Sequence, residues 1–541
     1  MSRNCTLPAR GSPHAIPAPV KSLADFAFEI QSEYDRQTST ASRKEKGQYF
    51  TPPQVCRFMA GLFSKPTRDR YRLLDPGAGV GSLTAAVCER MSESPAPLAV
   101  EAVLFENDKK VVPYLQRTMN RCRTEMEKAG HLLTVTLHES DFILDAAASM
   151  QGKRGLFQEE IDVGEIDCVI MNPPYFKLHK TSEYAKVMNA VVHGQPNIYA
   201  FFLAAATQML RPGGEMVAIT PRSFCNGLYF RGFRHWFFER MALDHIHLFE
   251  SRADTFSDVL QESIITQSHR LGRRSTCVTV STSFGRDVIG DLRSRKLPTT
   301  DILDISTGDC VVRVPATDED SSIMEAVESW PNRFSDLDLC VSTGPVVTFR
   351  AREFLLYGTN GTAAAPLFTI LNVKPFETVW PALHKKHPNA FKVCAASMKL
   401  LLPSLNYVLL RRFSAKEERR RLTASCLIGA SQPGPYVALE NHLNYIYHAS
   451  RELSLDETFG LAALFNSALL DRYFRSVSGN TQVNATELRT MPLPSLRTIA
   501  AIGRKIQTLP TLQSEAIEKI ILTAVGINGS LGRHLMEAAS E

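Results

Sequence analysis

The chain has 541 residues, of which 44% are hydrophobic and 22% charged, a composition typical of a soluble protein with about two to four domains. No run approaches the roughly 18 apolar residues of a membrane span. Residues 1–20 also lack the apolar core of a signal peptide, so we expect a cytoplasmic protein that does not enter a membrane. The formal net charge of +5 is compatible with nucleic-acid binding but does not demonstrate it.

The 11 cysteines are scattered, without Cys-x-x-Cys pairs and without histidines at the spacing of metal ligands. A disulfide framework or a zinc site would show such regular spacing. The pattern therefore favours reduced and mostly buried thiols, and we expect no metal.

The first predicted elements are helical. Residues 1 to about 20 have the composition of a flexible tail, and we expect a helix over 22–36 that packs on the following domain through its apolar side chains. These side chains are Leu23, Phe26, Phe28 and Ile30. Pro52 and Pro53 suit the first turn of a second helix, which we expect to run through residue 63 with Thr51 as its candidate N-cap.

A strand, a glycine-rich turn and a helix are predicted over residues 71–91. The glycines of the turn, which permit a close approach of the backbone to a ligand, are Gly77, Gly79 and Gly81. A dinucleotide-binding loop has a similar pattern and is the alternative. Against it, the strand ends in Asp75, whose charge would repel a pyrophosphate but favour the amino and sulfonium groups of S-adenosylmethionine.

Two further strands lead to acidic residues. The strand predicted over 98–105 is followed by Glu106, which could accept hydrogen bonds from both hydroxyls of a ribose; a solvated loop acid is the alternative. After the strand predicted over 132–137, Asp141 could accept a hydrogen bond from the amino group of a cofactor's adenine. Phe142 could lie on the ring of the same adenine.

The fourth strand leads into the most informative motif, Asn172-Pro-Pro-Tyr175. The two prolines cannot donate ladder hydrogen bonds, so the strand must end at Asn172. In an open α/β sheet, ligands bind at this carboxyl end. The side-chain carbonyl of Asn172 and the backbone carbonyl of Pro173 could each accept one hydrogen bond from a planar amine, while Tyr175 stacks on the ring that bears it.

Such an arrangement suits methyl transfer to adenine N6. The N6 lone pair is delocalised into the ring, and it becomes nucleophilic only when the amino group is drawn towards tetrahedral geometry. Two fixed acceptors can do this by positioning and electrostatics, without a strong general base. For these four residues alone, a simple turn after a strand remains the alternative.

The sheet is predicted to continue beyond this motif. A buried helix over 196–210, stopped by a proline and two glycines, precedes a strand over 215–220. The following connection is rich in aromatic residues, most of which suit a core, although Phe224 or Phe230 could face a target base. The last strands of the sheet are expected near 246–249 and 263–269.

In this order, the motifs resemble the gamma-class DNA adenine-N6 methyltransferases of restriction-modification systems. In that class, a motif like Gly47-Gln-Tyr-Phe-Thr-Pro52 comes before the Asp-Pro-Gly-Ala-Gly and Asn-Pro-Pro-Tyr motifs, and the DNA-reading domain comes last. The resemblance covers roughly residues 45–270. It implies a fold of the α/β class, a Rossmann-like S-adenosylmethionine-dependent methyltransferase sheet with a C-terminal mixed α+β DNA-recognition domain.

The resemblance also implies which residues bind the cofactor, S-adenosylmethionine. Phe50 and Thr51 would close over it, and Glu106 would bind its ribose. The residues implied at its methionine portion and its adenine are Asp75, Gly77, Gly79, Asp141 and Phe142.

For the target base, Asn172, Pro173 and Tyr175 match the positions that hold and stack a flipped adenine. Phe230 loosely matches a later aromatic that stacks on the same base. The implied substrate is double-stranded DNA, and base flipping is required because N6 lies inside the base stack. The implied enzyme is a cytoplasmic, nucleoid-associated monomer whose partner is a separately encoded restriction endonuclease.

Beyond residue 275, DNA contacts are harder to assign. The stretch 399–421 holds seven basic and two acidic side chains, which favours phosphate contacts by Arg411 and Arg412; a solvated helical face with internal ion pairs is the alternative. Gln482 and Asn484 lie in a polar segment able to reach base edges, although turn formation explains it nearly as well.

We therefore expect a tail and helix over 1–40, a catalytic domain over 41–272 and a target-recognition domain with C-terminal helices over 273–541. Three other functions remain open at this point. In a protein glutamine methyltransferase, the amide of the substrate glutamine would present the same planar NH2 to the Asn-Pro-Pro-Tyr motif. An RNA adenine methyltransferase would use the same chemistry on RNA. A catalytically idle DNA-binding subunit would keep only the binding role.

Overall fold

The computed structural model describes most of the chain. The described residues are 22–38, 51–150, 165–179, 181–188, 197–226, 230–249, 263–271, 275–283, 292–304, 310–358, 363–381, 387–414, 418–478 and 482–540. The chain divides into two compact units, Met1–Phe142 with Ile166–Pro174, and Ile143–Glu165 with Tyr175–Glu541. The expected tail and the cofactor candidate Phe50 lie outside the described residues.

The first unit contains four parallel strands. They are β1 Arg70–Pro76, β2 Ala99–Phe105, β3 Leu132–His138 and β4 Ile166–Met171. Their order is β3-β2-β1-β4, as in one half of a Rossmann-like sheet, so that their carboxyl ends meet at one edge. Every residue of β4 is buried, and the strand ends directly before Asn172. The α/β class and these four predicted strands are confirmed.

Helices accompany these strands. Up to residue 150 they are Leu23–Gln37, Pro53–Leu62, Ser82–Met91, Val112–Lys128 and Phe142–Met150. The first begins after Ser22, whose hydroxyl accepts a hydrogen bond from the backbone N–H of Asp25 at 3.2 Å. It buries Ile30 and Tyr34, whereas Phe28 is 43% exposed, so the predicted apolar face is wrong at Phe28.

The second unit begins with five more strands. They are β5 Leu210–Pro221, β6 Met241–Phe249, β7 Ser263–Arg270, β8 Cys277–Ser283 and β9 Arg293–Pro298. Their order is β5-β7-β6-β8-β9, and β7 is antiparallel to both of its neighbours. The expectation that β7 completes the sheet is wrong, because β8 runs parallel to β6 and β9 pairs with β8.

The helix Ile198–Met209 is almost entirely buried, in agreement with the prediction. It ends at Met209, because Leu210 already has extended backbone. The proline and two glycines expected to stop the helix therefore lie within β5. The other helical segments of this region are Glu183–Val187, Arg222–Cys225 and Arg231–Phe238.

Short strands dominate from residue 303 to residue 448. β10 Leu303–Asp304 pairs antiparallel with β11 Val311–Val312. The first five-stranded sheet joins, in spatial order, β12 Leu339–Thr343, β21 Leu443–His448, β18 Tyr407–Arg411, β19 Ala424–Leu427 and β15 Phe376–Glu377. The second joins β13 Leu355–Leu356, β16 Ala390–Lys392, β14 Ala364–Phe368, β20 Tyr436–Leu439 and β17 Leu402–Pro403.

Helices complete the second unit. After the short turn Thr299–Ile302 they are Asp318–Glu328, Leu455–Asn466, Ala468–Val477, Ala485–Thr490, Leu496–Gln507, Ser514–Val525 and Gly529–Ser540. Helices Leu455–Asn466 and Leu496–Gln507 cross closely, since a Cβ on Gly503 would lie 1.8 Å from the carbonyl oxygen of Asp456. No helix among the described residues has the length and apolarity of a membrane span.

Candidate active site

The glycine-rich turn after β1 is fixed to the end of β2. The backbone N–H groups of Gly77 and Ala78 both donate to the carbonyl oxygen of Phe105, at 2.9 and 2.8 Å. Gly81 has a φ of +86°, and a Cβ there would lie 2.8 Å from two side chains of a neighbouring helix. The turn therefore requires glycine at residue 81 both for its backbone conformation and for space.

Asp75 stands at the carboxyl end of β1 and is 1% exposed. Its Oδ2 accepts a hydrogen bond from the hydroxyl of Thr84 at 2.7 Å, whereas Oδ1 is buried without a hydrogen-bond partner among the described residues. Burial raises the pKa of Asp75 to about 7; hydrogen bonds from Thr84 oppose the rise, and the charge of Glu106 adds to it. A cationic ligand group would stabilise this buried carboxylate, so the site fits the amino end of S-adenosylmethionine.

Glu106 connects the glycine turn with the end of β2. Its Oε2 accepts from the backbone N–H of Gly79 at 2.9 Å, and its Oε1 accepts from the backbone N–H of Asp108 at 2.7 Å. With 6% of its surface exposed, it is not the solvated loop acid of the alternative interpretation. Each oxygen of an ionised carboxylate can accept a second hydrogen bond, which is what two ribose hydroxyls require.

Asn172 follows β4 directly, and its side-chain Nδ2 donates to the hydroxyl oxygen of Thr51 at 3.0 Å. Thr51 is 4% exposed. The expectation that Thr51 is the N-cap of helix Pro53–Leu62 is wrong, because Pro52 occupies that position and no side chain in the described part of the chain caps the helix. The hydroxyl of Thr51 instead contacts the amide of the motif.

The structure separates the two candidates at the cofactor's adenine. Asp141 is partly exposed at the end of the segment that follows β3. Phe142 is 2% exposed and packs its ring edge-on against Phe105, with 5.1 Å between the ring centroids. The ring of Phe142 therefore belongs to the core of the first unit.

Tyr175 belongs to an aromatic cluster in the second unit. Its hydroxyl donates to the carbonyl oxygen of Ile219 at 3.0 Å, and its ring meets Tyr199 edge-on, with 6.2 Å between centroids. Phe230 stacks on the other ring of this pair, Tyr199, at 5.4 Å, and is 8% exposed. Phe224 is also buried, so neither of the two phenylalanines presents an open ring face.

In its described part, the arginine-rich stretch contains no α-helix but two short strands, the end of a 3-10 turn and irregular backbone, so the alternative of a helical face is wrong. Arg411 ends β18, and its guanidinium donates twice to the carbonyl oxygen of Val373, at 2.9 and 2.6 Å. Arg412 donates to the carbonyl oxygen of Asn441 and, at 3.3 Å, to Oε1 of Gln482. Within the described residues, neither arginine forms an ion pair with a carboxylate.

The segment around Gln482 is held in place by its backbone. The N–H of Val483 donates to the carbonyl oxygen of Arg412 at 2.7 Å, and the side chain of Asn444 donates to the carbonyl oxygen of Val483 at 2.6 Å. Asn484 occupies the N-cap position of helix Ala485–Thr490 but makes no side-chain cap hydrogen bond.

Sequence reasoning missed Thr84 and Tyr199. Thr84 is a buried hydroxyl residue in the first turn of the helix after the glycines, where the neighbouring Asp75 supplies an acceptor. Tyr199 is fully buried and hydrogen-bonds Ser223 at 3.0 Å, and burial raises its pKa well above the usual value. Each is a polar group in an apolar segment, and a buried hydroxyl group requires a hydrogen-bond partner.

Comparison of the sequence with known proteins identifies the family of this chain. The family model "Eco57I restriction-modification methylase" matches residues 103–256. Type II methyltransferase M.BsuBI of Bacillus subtilis is 36% identical over 468 residues, which cover 86% of this chain and 90% of the relative. Type II methyltransferase M.PstI of Providencia stuartii is 33% identical over 470 residues, with the same coverage of 86% and 90%.

Among solved structures, the type IIL restriction-modification enzyme MmeI in complex with DNA aligns with 95% of this chain and 73% of its own, at a TM-score of 0.48 and 9% identity. The family assignment rests on the two sequence relatives. The chain therefore belongs to the type II methyltransferases of restriction-modification systems, which confirms the expectation of a DNA methyltransferase with S-adenosylmethionine as its methyl donor.

Proposed function

We propose that this DNA methyltransferase transfers a methyl group to N6 of an adenine that it flips out of duplex DNA. The observation that carries the proposal is the placement of the Asn172 amide directly after the buried strand β4, in the same unit as the buried acids Asp75 and Glu106. A carbonyl acceptor at a strand end suits a planar amine, because the lone pair becomes reactive only when two fixed acceptors hold the two N–H groups.

Residues of the first unit would bind the cofactor. Asp75 would face the amino group, because its buried Oδ1 accepts nothing from the described residues, and Glu106 would accept from the ribose hydroxyls. Gly77 and Gly79 would let the backbone approach the methionine portion. When bound, S-adenosylmethionine supplies an electrophilic methyl group on a sulfonium.

The remaining cofactor roles fall to Asp141, Thr51 and Phe50. Asp141 is partly exposed and would accept from the adenine amino group of the cofactor. Phe142, at 2% exposure, offers almost no ring surface, so Asp141 carries this part of the proposal. Thr51 and Phe50 would close over the cofactor, as the family resemblance implies.

The base-holding groups come from the motif itself. The side-chain carbonyl of Asn172 and the backbone carbonyl of Pro173 would each accept one N6 hydrogen bond. Tyr175 would stack on the base, and its hydroxyl bond to Ile219 would hold the ring in place. Phe230 stacks on Tyr199, which makes it a support for the aromatic cluster in this proposal.

Residues of the second unit would bind the DNA. Arg411 and Arg412 would contact phosphates, since their charge is not balanced by a carboxylate among the described residues, and Gln482 and Asn484 would reach base edges. We also propose that a separately encoded restriction endonuclease recognises the same site, and that the enzyme acts as a cytoplasmic, nucleoid-associated monomer.

Substitution of Asn172 tests the reaction. Asn172→Ala should lower single-turnover methylation at least roughly a hundredfold while cofactor affinity, measured by calorimetry, stays within a few fold, because the lost acceptor acts on the reacting amine. Near-normal turnover would reject the base-holding role. A wild-type product other than N6-methyladenine, identified by mass spectrometry of digested DNA, would reject the adenine assignment.

Matched substrates test the remaining alternatives. Duplex DNA, RNA of the same sequence and a glutamine-containing peptide should be compared with one enzyme preparation. We expect methylation of the DNA alone, in keeping with the type II relatives. Base flipping is tested separately with 2-aminopurine at the target position, whose fluorescence should rise when the enzyme unstacks it.

A further inference from the structure

One hydrogen bond joins residues 121 positions apart: Nδ2 of Asn172 donates to Oγ1 of Thr51 at 3.0 Å. The backbone of Thr51 is held by the first turn of the next helix, because the thiol of Cys56 donates to its carbonyl oxygen at 3.4 Å. The N–H of Cys56 also donates to the carbonyl oxygen of Pro52 at 2.9 Å. Among the described residues no side chain caps this helix, so the hydroxyl of Thr51 does not serve helix formation.

The orientation of an asparagine amide decides what it can bind. Its carbonyl and NH2 ends are similar in size, and a half-turn about the last side-chain bond exchanges them. Adenine N6 presents two N–H donors, so only the carbonyl end of Asn172 can accept from it. With the NH2 end towards the base, donors would face donors and the amine would not be drawn out of the ring plane.

We infer that Thr51 is a positioning residue for methyl transfer, whose hydroxyl holds the NH2 end of Asn172 and thereby keeps Oδ1 turned towards the target amine. This inference rests on the proposed role of Asn172 in holding the base. A hydroxyl can accept one hydrogen bond and donate another at the same time. The positioning role is therefore distinct from the cofactor contact that the family resemblance implies for Thr51, and the two can be separated by experiment.

The first test compares two variants of Thr51. Thr51→Val keeps the branched shape but removes the acceptor, whereas Thr51→Ser keeps the hydroxyl. At saturating cofactor and DNA, we expect single-turnover transfer to fall about tenfold to a hundredfold in Thr51→Val, the range for removing one partner of a buried hydrogen bond. Thr51→Ser should stay within about threefold of the wild type, and cofactor affinity should change little in either variant.

The second test changes the partner. In Asn172→Asp, both ends of the side chain are oxygen acceptors, so no incorrect orientation exists. Thr51→Val should then lower the rate by no more than about threefold relative to Asn172→Asp alone, which makes the two substitutions strongly non-additive. A general structural effect of Thr51 would lower the rate equally in both backgrounds. Circular dichroism and thermal melting check the fold of each variant.

Three results would overturn the inference. In the first, Thr51→Val has a normal rate at saturating cofactor and only a weaker cofactor affinity, which assigns Thr51 to cofactor binding alone. In the second, Thr51→Ser is as slow as Thr51→Val. In the third, Thr51→Val lowers the rate by the same factor in the Asn172→Asp background as in the wild type. If Asn172→Asp is itself inactive, the comparison of Thr51→Val with Thr51→Ser decides. Near-normal activity of Asn172→Ala would instead reject the proposed function itself.

Discussion

The backbone N–H of Gly79 donates to Oε2 of Glu106 at 2.9 Å, and this hydrogen bond links the glycine turn after β1 to the acid that follows β2. The other oxygen of Glu106 accepts from the N–H of Asp108 at 2.7 Å. Both carboxylate oxygens thus align backbone groups at the same edge of the sheet. A change at Glu106 should therefore affect the turn as well as the proposed contact with the ribose of the cofactor.

Glu106→Gln should weaken S-adenosylmethionine binding by about tenfold to a hundredfold, the range for hydrogen bonds to a charged group. An amide presents NH2 on one side, so one of the two N–H donors loses its acceptor. Calorimetric titration measures the effect. Glu101→Gln, within β2 and at a glutamate paired with Arg72, is the matched control and should bind normally. Equal affinities for both variants would remove Glu106 from the cofactor site.

Asp75 predicts a pH dependence of cofactor binding. Its pKa of about 7 means that the carboxyl group of the free protein is protonated below neutral pH. A cationic ligand favours the ionised form, so binding at low pH must release a proton. Affinity should therefore rise by up to about tenfold per pH unit from pH 5 towards pH 7 and level off above it.

The control for this dependence is Asp75→Asn, which cannot ionise. We expect it to bind S-adenosylmethionine weakly and with the same affinity from pH 5 to pH 7. Titrations in buffers of different ionisation enthalpy should detect the released proton for the wild type alone. A flat profile in the wild type would mean that Asp75 does not face the cofactor's charge.

The strands of the first unit could be predicted because each carries its own local signal. The apolar run before Asn172, the prolines after it and the glycines after Asp75 are readable within a few residues. The position of Asp75 at a strand end was likewise fixed by its neighbours in sequence. The sequence does not predict its raised pKa, or that Oδ1 has no hydrogen-bond partner among the described residues, because burial depends on packing of the whole unit.

Contacts between distant segments could not be predicted. Nothing near Thr51 in the sequence indicates that its hydroxyl meets Asn172, 121 residues later. The same applies to Arg412, which reads as a free positive charge until the structure places Gln482 beside it. Gly503 gave no signal either, although its helix can approach the carbonyl of Asp456 only without a side chain.

The hydroxyl and the ring of Tyr175 should make separate contributions to DNA binding and turnover. Tyr175→Phe keeps the ring but removes the hydroxyl that donates to Ile219, so DNA binding and turnover should fall by less than about tenfold. Tyr175→Ala also removes the stacking surface, which should weaken binding of a duplex carrying the mapped target by about 1–3 kcal/mol. The 2-aminopurine signal should fall in Tyr175→Ala and persist in Tyr175→Phe. The exposed neighbour, Phe176→Ala, serves as the control and should leave both unchanged.

The salt dependence of DNA affinity tests the proposed phosphate contacts of the second unit. Replacing Arg411 and Arg412 with Ala should weaken specific and non-specific duplexes alike, because phosphate contacts carry no base information. The slope of log affinity against log salt should become shallower by about two, at roughly 0.9 per contact. Fluorescence anisotropy at several salt concentrations measures this slope.

Gln482→Ala separates base reading from charge. It removes the side chain that accepts from Arg412 but changes no charge, so the salt slope should stay the same. Discrimination at one base pair of the target should fall by about 1–3 kcal/mol. If the arginine variant keeps the wild-type slope and circular dichroism shows an intact fold, the two guanidinium groups serve only to fasten the carbonyls of Val373 and Asn441. Phosphates would then be contacted elsewhere in the chain.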